Sequence, residues 1–188
     1  MGQKFAKLML RLMGWTAVEP PVPEKKCIIL GVPHTSILDY PVSYFYYKAV
    51  GGRCNIMIKK EFFFWPVGPI LKHLGAVPVD RQKGRDVMKQ TLEAFNSREY
   101  LQLALAPEGT RAPVKKWKSG FHRMAMELGV PVYMGYFDWK TKRVGRGEKI
   151  ELTGDFHTDL VRIQKHYKKM GVVGRHPEKL AYLDEVTD

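Results

Sequence analysis

His34 and Asp39 are the residues of this chain whose types and spacing point most directly to chemistry. An imidazole can accept a proton near neutral pH, and a neighbouring carboxylate fixes its tautomer and stabilises the imidazolium that forms. Five positions along an α-helix correspond to a rotation of about 140°, so the two side chains would not share a face if both were helical. We therefore expect His34 to lie in a turn, with the chain folding back so that Asp39 reaches it.

Two later blocks, residues 75–81 and 107–111, each end in an arginine after an apolar, strand-like run. A guanidinium group holds a phosphate through two parallel hydrogen bonds, so Arg81 and Arg111 are candidate phosphate ligands. Binding groups of α/β sheets collect at the ends of the strands, where both arginines are expected. The alternative for each arginine is a surface charge without a partner.

The elements that must position these side chains alternate between strand and helix, which predicts an α/β fold. Apolar runs predict strands over residues 27–32, 55–58, 76–79, 100–106 and 130–137, with residues 150–152 as a returning strand. Helical spacing predicts helices over residues 39–49, 70–75, 86–95 and 120–128, and a last helix capped by Thr158 or Asp159.

The sequence pattern predicts that the N-terminal segment is a separate unit. Residues 3–15 are predicted to form an amphipathic helix, followed by a Pro-rich linker to residue 24 and one domain over residues 25–188. Its two faces are basic (Lys4, Lys7, Arg11) and, on the opposite side, apolar (Phe5, Leu8, Met9, Leu12). Such a helix suits a lipid headgroup layer, and packing on the domain is the alternative.

Together with Val130, Pro131 and Val132, the ordered blocks resemble those of the glycerolipid acyltransferase family, typified by bacterial 1-acylglycerol-3-phosphate acyltransferase. That family carries a His-x4-Asp block, a Gly-x5-Arg block, a Pro-Glu-Gly-Thr-Arg block and a later Val-Pro-Val. Two positions depart from its pattern without removing a reactive group: Pro33 stands where Asn is common, and Ala106 where an aromatic residue is usual. The resemblance implies a single domain with a mixed central sheet flanked by helices.

The resemblance also implies a reaction. A fatty acyl group would pass from acyl-CoA or acyl-carrier protein to the hydroxyl of a lysophospholipid, foremost 1-acylglycerol-3-phosphate, with no cofactor and no metal. This transfer needs a base for the hydroxyl proton and stabilisation of a tetrahedral oxyanion. His34 would be the base and Asp39 would orient it. In the family Glu108 orients the acceptor, Gly109 would let the substrate approach the backbone, and Thr110 is a candidate hydrogen-bond donor.

Several chemical alternatives remain open at this point. Ser36 could form an acyl-enzyme with His34, but a serine nucleophile uses a strained elbow between glycines, which this loop lacks. An aminoacyl lysolipid with a free hydroxyl and a carboxylate would also fit a basic pocket. Lys115, Lys116, Lys118 and residues 140–149 could guide the phosphates of coenzyme A or an acidic carrier, or simply form a solvated face.

Composition bounds the partners and the compartment. The 31 Lys and Arg against 19 Asp and Glu give a net charge of +12, which attracts nucleic acid, an anionic bilayer or phosphorylated substrates. No helix-turn-helix, zinc or RNA-recognition motif appears, so no nucleic acid is expected. A non-catalytic basic protein that binds a membrane surface or nucleic acid is the alternative of another class, but it leaves the ordered blocks unexplained.

Cys27 and Cys54 do not form a disulfide framework and fit a reducing compartment. No run of 18 apolar residues and no secretory signal appear, so we expect peripheral attachment at the cytoplasmic face of a membrane. The aromatic segment 62–65, beside Lys59 and Lys60, is a second candidate for the lipid boundary, with a core helix as its alternative.

Overall fold

Strands and helices alternate along the chain in a computed structural model that describes residues 2–80, 86–114, 116–180, 182–183 and 186. The strands are β1 (Thr16–Ala17), β2 (Lys26–Leu30), β3 (Asn55–Lys59), β4 (Ala76–Val79), β5 (Leu101–Leu105), β6 (Val132–Tyr133), β7 (Tyr136–Asp138), β8 (Arg143–Gly145) and β9 (Lys149–Ile150). The helices are α1 (Gln3–Leu12), α2 (Asp39–Ala49), α3 (Val67–His73), α4 (Asp86–Asn96), α5 (Gly120–Leu128) and α6 (Phe156–Met170), with short 3₁₀ helices at Lys60–Phe62 and Pro177–Lys179.

The central sheet has the strand order β4-β3-β5-β2-β6-β9. Its first five strands are parallel to their neighbours, and β9 runs antiparallel to β6. A smaller sheet has the order β1-β8-β7. The expected α/β fold with a mixed central sheet is therefore confirmed.

Strand β2 lies at the centre of the core because both of its faces are buried. Ile28 and Leu30 belong to the apolar cluster that includes residues of α5 and α6, whereas Cys27 and Ile29 belong to the cluster that includes residues of α1 and α2. A strand buried on both faces reads as a continuous apolar run, as this one does. The sheet thus separates two helical layers.

The single strand expected over residues 130–137 is wrong. The structure divides the segment into β6 and β7, which belong to different sheets. The division falls at Gly135, where a Cβ atom would lie 2.6 Å from the carbonyl oxygen of Leu30, so only glycine lets the chain pass the end of β2 this closely. Periodicity could not show the break because both halves are apolar.

The expected cap of the last helix is also wrong. The side chain of Asp155 accepts a hydrogen bond from the backbone N–H of Thr158 at 2.7 Å and so caps α6. Asp159 instead lies fully buried, where it pairs with His122 at 2.9 Å. A buried carboxylate needs such partners.

Helix α1 has three faces rather than two. Ala6 and Leu10 are buried against the body, and the apolar side chains of Phe5, Leu8 and Leu12 are exposed, with Leu12 72% exposed. Lys4, Lys7 and Arg11 are exposed as well. Packing on the domain and an apolar surface open to a partner therefore coexist in one helix, while the domain boundary at residue 24 stays a prediction. In the described part of the chain, no helix combines the length and apolarity needed to cross a membrane.

Candidate active site

The central pair of parallel strands brings two loops together at one edge of the sheet. β2 pairs with β5 in a register that sets Leu30 opposite Leu105. Parallel strands deliver the chain to the same edge, so the loops after Leu30 and Leu105 emerge side by side. His34 follows the first strand by four positions and Glu108 follows the second by three.

His34 and Asp39 are in contact, because the chain turns back between them. The Nδ1 atom of His34 lies 3.0 Å from Oδ2 of Asp39. Asp39 is the first residue of α2, where the helix dipole favours a negative charge, and it is 1% exposed. With Nδ1 directed to the carboxylate, the Nε2 atom of the partly exposed His34 is left for a substrate.

Asp39 is held by backbone groups of its own loop. Its Oδ2 atom accepts hydrogen bonds from the N–H groups of Thr35 at 3.0 Å and Ser36 at 2.9 Å. The hydroxyl of Ser36 accepts a hydrogen bond from the N–H of Leu38 at 3.2 Å, and the residue is buried. A serine used in this way holds the turn, which disfavours the acyl-enzyme alternative.

Glu108 joins the pair from the neighbouring loop. Its Oε1 atom accepts a hydrogen bond from the backbone N–H of His34 at 3.1 Å, and its Oε2 atom is buried without a hydrogen-bond partner among the described residues. Burial raises the pKa of Glu108 to about 7, although the His34 N–H group opposes part of this shift. The carboxyl group therefore titrates near neutral pH.

Residues 109–111, which follow Glu108 in the block, lie at the surface. Gly109 has a φ of +68°, a backbone conformation that favours glycine. The end of the flexible Lys118 side chain lies over it, 2.7 Å from where a Cβ atom would be. The hydroxyl of Thr110 accepts a hydrogen bond from Ala112 N–H at 3.2 Å. Arg111 is exposed, and no hydrogen bond or ion pair joins it to another described residue.

Two of the residues singled out from the sequence cannot be placed in this arrangement. Arg81 and Lys115 lie outside the described residues. Strand β4, which precedes Arg81, ends at Val79 beside β3 in the same parallel sheet. The structure thus unites His34, Asp39 and Glu108 by hydrogen bonds, whereas the roles of the arginines stay predictions.

Residues far along the chain also reach the site, and no sequence pattern indicated them. Trp139 donates a hydrogen bond from Nε1 to Oδ1 of Asp39 at 2.8 Å. The N–H of His176 donates to the hydroxyl of Thr35 at 3.2 Å, and a Cβ atom at Gly174 would lie 2.7 Å from that hydroxyl. Separations of 100 and 141 positions leave no spacing pattern that could reveal these contacts.

The described residues contain no group of three or more His, Cys, Asp or Glu side chains arranged to hold a metal ion.

Comparison with known proteins identifies the family of the chain. A family model described as Acyltransferase matches residues 17–134, which is well over half of the chain. The chain belongs to the acyltransferase family. The matched region contains both loops of the site, including His34, Asp39 and Glu108.

The acyltransferase also resembles a solved structure. The crystal structure of PlsC, the 1-acyl-sn-glycerophosphate (LPA) acyltransferase of Thermotoga maritima, matches with a TM-score of 0.61 over 90% of this chain and 78% of that chain, at 17% identity. This likeness supports the fold described above. No curated protein matches the acyltransferase by sequence.

Replacement of Glu108 by Gln should make the stability of the acyltransferase less dependent on pH. Because the folded-state pKa of Glu108 is about 7 against an ordinary value of 4.5, the folded protein binds the proton more tightly than the unfolded chain. The free energy of unfolding should therefore fall by about 3 kcal/mol from this residue between pH 4.5 and pH 8. Gln keeps an acceptor for the His34 N–H and carries no charge. In denaturant titrations, the stability advantage of Glu108→Gln over the wild type should grow across that pH range.

Glu127→Gln is the matched control, because Glu127 is exposed on α5. Its difference from the wild type should change little with pH. Parallel pH curves for Glu108→Gln and the wild type would contradict the buried, proton-binding state of Glu108.

Proposed function

We propose that this acyltransferase transfers a fatty acyl group from acyl-CoA or acyl-carrier protein to the hydroxyl of a lysophospholipid, with 1-acylglycerol-3-phosphate as acceptor and phosphatidic acid as product. The observation that carries the proposal is the His34–Asp39 contact of 3.0 Å beside Glu108. The name of the PlsC structure supports this acceptor, since that enzyme acts on 1-acyl-sn-glycerophosphate.

The reaction begins with a proton transfer to His34. Nε2 takes the proton of the acceptor hydroxyl as the hydroxyl oxygen attacks the thioester carbonyl carbon. Asp39 stabilises the resulting imidazolium through Nδ1–H. The tetrahedral oxyanion then collapses, the carbon–sulfur bond breaks, and the thiolate leaves with the proton returned by His34. Ester and free thiol are the products, and no acyl-enzyme forms.

The acceptor phosphate is assigned to Arg111 and Arg81. Arg111 is exposed and free of ion pairs with the described residues, so its guanidinium fork is available for a phosphate. It lies three positions from Glu108, whose carboxyl group is the candidate for orienting the acceptor. Arg81 is proposed as a second phosphate ligand, and this proposal rests only on its position after β4 in the sequence.

His34→Ala should reduce acyl transfer by a factor on the order of 100 or more, because the base is lost. Turnover is measured with purified protein, acyl-CoA and 1-acylglycerol-3-phosphate. His73→Ala is the matched control, since His73 is exposed on α3 and should be dispensable. Undiminished turnover by folded His34→Ala protein would rule out His34 as the base.

Arg111→Lys should raise the KM for the acceptor about tenfold while changing the KM for the acyl donor little, because a point charge replaces the bidentate fork. Arg123→Lys, on the exposed face of α5, is the matched control. Equal effects on both substrates would show that Arg111 holds structure instead. The same assay with a carboxylate-bearing aminoacyl lysolipid as acceptor tests the other acceptor class.

The site is proposed to work on an anionic bilayer, bound from the cytoplasmic side without a membrane span. Most of the large apolar side chains that are exposed in the described residues lie in three segments, which we together call the lipid-facing surface: Phe5, Leu8 and Leu12 on α1, Ile37 and Leu38 in the loop between β2 and α2 (the catalytic loop), and Phe62, Phe64 and Trp65 after β3. Trp65 is 85% exposed and Ile37 is 68% exposed. Exposed apolar side chains of this size support contact with a partner.

Charge and cysteine chemistry support the same partner. Lys4, Lys7 and Arg11 border the apolar side chains of α1, and Lys59 and Lys60 precede Phe62. Basic residues beside an apolar surface favour anionic headgroups. Both cysteines are free thiols, which fits the reducing cytoplasmic side.

The double variant Leu8→Ser with Leu12→Ser should bind anionic liposomes about tenfold more weakly, because apolar area entering the bilayer is lost. Both leucines are exposed, so folding should be unaffected, whereas deletion of residues 1–15 would also remove the buried Ala6, Leu10 and Trp15. Cosedimentation measures binding, and added salt should weaken it.

Met126→Ser with Met170→Ser is the matched control, because both side chains are exposed outside the lipid-facing surface. Activity of the leucine variant on soluble, short-chain substrates should be unchanged. Liposome binding that is insensitive to lipid charge and to the leucine changes would place the membrane contact elsewhere.

A further inference from the structure

Asp39 receives hydrogen bonds from two very different sources. Its Oδ2 atom faces His34 Nδ1 and the N–H groups of Thr35 and Ser36, all within five residues. Its Oδ1 atom accepts the hydrogen bond of Trp139 at 2.8 Å, from a residue 100 positions away that follows β7 of the smaller sheet. Among the described residues, this long-range bond is the one that joins the Asp39 carboxylate to the segment after the second sheet.

The indole of Trp139 is itself held from several sides. Its ring meets the Trp15 ring edge to face, with 5.0 Å between ring centroids. Lys142 Nζ lies 4.2 Å from the ring centroid and the Arg175 guanidinium carbon 5.1 Å from it, both in cation–π range. The backbone N–H of Trp139 donates to the carbonyl of Val173 at 2.8 Å. The donor is therefore fixed before any substrate arrives.

The two carboxylate oxygens of Asp39 have different roles. A buried carboxylate oxygen without a hydrogen-bond donor loses its hydration and gains nothing in return. The χ2 torsion of aspartate has a broad distribution unless hydrogen bonds restrict it. The indole N–H satisfies Oδ1 and thereby fixes the plane in which Oδ2 faces His34. It also stabilises part of the negative charge, which would otherwise act more strongly on the imidazole and on the Thr35 and Ser36 N–H groups.

We propose that Trp139 is a positioning residue for the His34–Asp39 pair. Its N–H fixes the orientation of the Asp39 carboxylate and reduces the stabilisation that Asp39 gives to protonated His34. The proposal rests on the proposed function of this pair in acyl transfer. Trp139 touches no reacting atom and acts only through Asp39.

The test is Trp139→Phe, which keeps an aromatic ring for Lys142 and Arg175 but removes the N–H donor. With the negative charge concentrated on Oδ2, His34 should hold its proton more tightly. Activity at low pH requires an unprotonated His34, so the acidic limb of kcat/KM should move to higher pH. We expect a shift of about half a pH unit or more, a roughly tenfold lower kcat and both KM values within about twofold.

Other charged groups near the pair stay in place in this variant. Glu108 faces His34 from the loop after β5, and Lys118 lies over Gly109 in that loop. Arg175 and Lys142 flank the ring, Asp138 precedes it, and His176 reaches Thr35 through its backbone. Since none of these groups is replaced, a shifted limb reports the loss of the indole donor.

Trp15→Phe is the matched control. It makes the same exchange in the ring that contacts Trp139, and the indole of Trp15 forms no hydrogen bond with a described residue. Its pH profile and kcat should match those of the wild type. A shift of the same size in Trp15→Phe would overturn the proposal, because packing rather than the donor would then be responsible.

A measurement without turnover separates this proposal from the proposed function. The ring C–H resonances of His34, assigned by their loss in His34→Ala, are followed by NMR across pH in the substrate-free protein. Trp139→Phe should move the protonation midpoint of His34 upward, whatever the reaction is. Retained turnover by His34→Ala would refute the proposed function, whereas a wild-type midpoint in Trp139→Phe would refute the positioning role.

A second measurement applies if Trp139→Phe does not fold. In the unaltered protein, the indole N–H resonance of Trp139 should shift with the same midpoint as the His34 ring, because both bond one carboxylate. An indole resonance that stays constant through the titration of His34 would overturn the proposal.

Discussion

A charged carboxylate in the protein interior is the constraint on which this site depends. Removing the Asp39 charge from water is costly unless donors replace the lost hydration. The structure provides them from the turn before α2, from His34 and from Trp139. The tight turn before α2 and the approach of the second sheet therefore supply the donors that a buried Asp39 charge needs beside the imidazole of His34.

The sheet supplies the second requirement, which is a fixed distance between two loops. Strand β2 is paired on both edges, by β5 and β6, and buried on both faces, so the start of the catalytic loop has little freedom. Glu108 is carried by the adjacent strand and reaches the backbone of His34. Glycine at position 135 then lets the chain cross the end of β2 and continue into β7, which leads to Trp139. Rigid strands and one close crossing thus set the geometry of the site.

The sequence predicted much of this arrangement, for identifiable reasons. Helix and strand patterns located α2 and α5 at their observed bounds, since apolar periodicity and a glycine stop are local signals. The turn between His34 and Asp39 followed from helix geometry. The division between β6 and β7 did not, because it depends on the contact of Gly135 with Leu30. Trp139, Gly174 and His176 were missed because the tertiary fold alone brings them to the catalytic loop.

The burial of Glu108 links ligand charge to proton uptake. Its carboxyl group titrates at about pH 7, so near neutrality a sizeable fraction of the protein carries it in each form. Any anion bound beside it favours the protonated form, so binding takes up a fraction of a proton from the buffer. By reciprocity the anion binds more tightly as the pH falls through that range. The heat of binding would then depend on the ionisation enthalpy of the buffer, which makes one buried side chain a source of proton-coupled affinity.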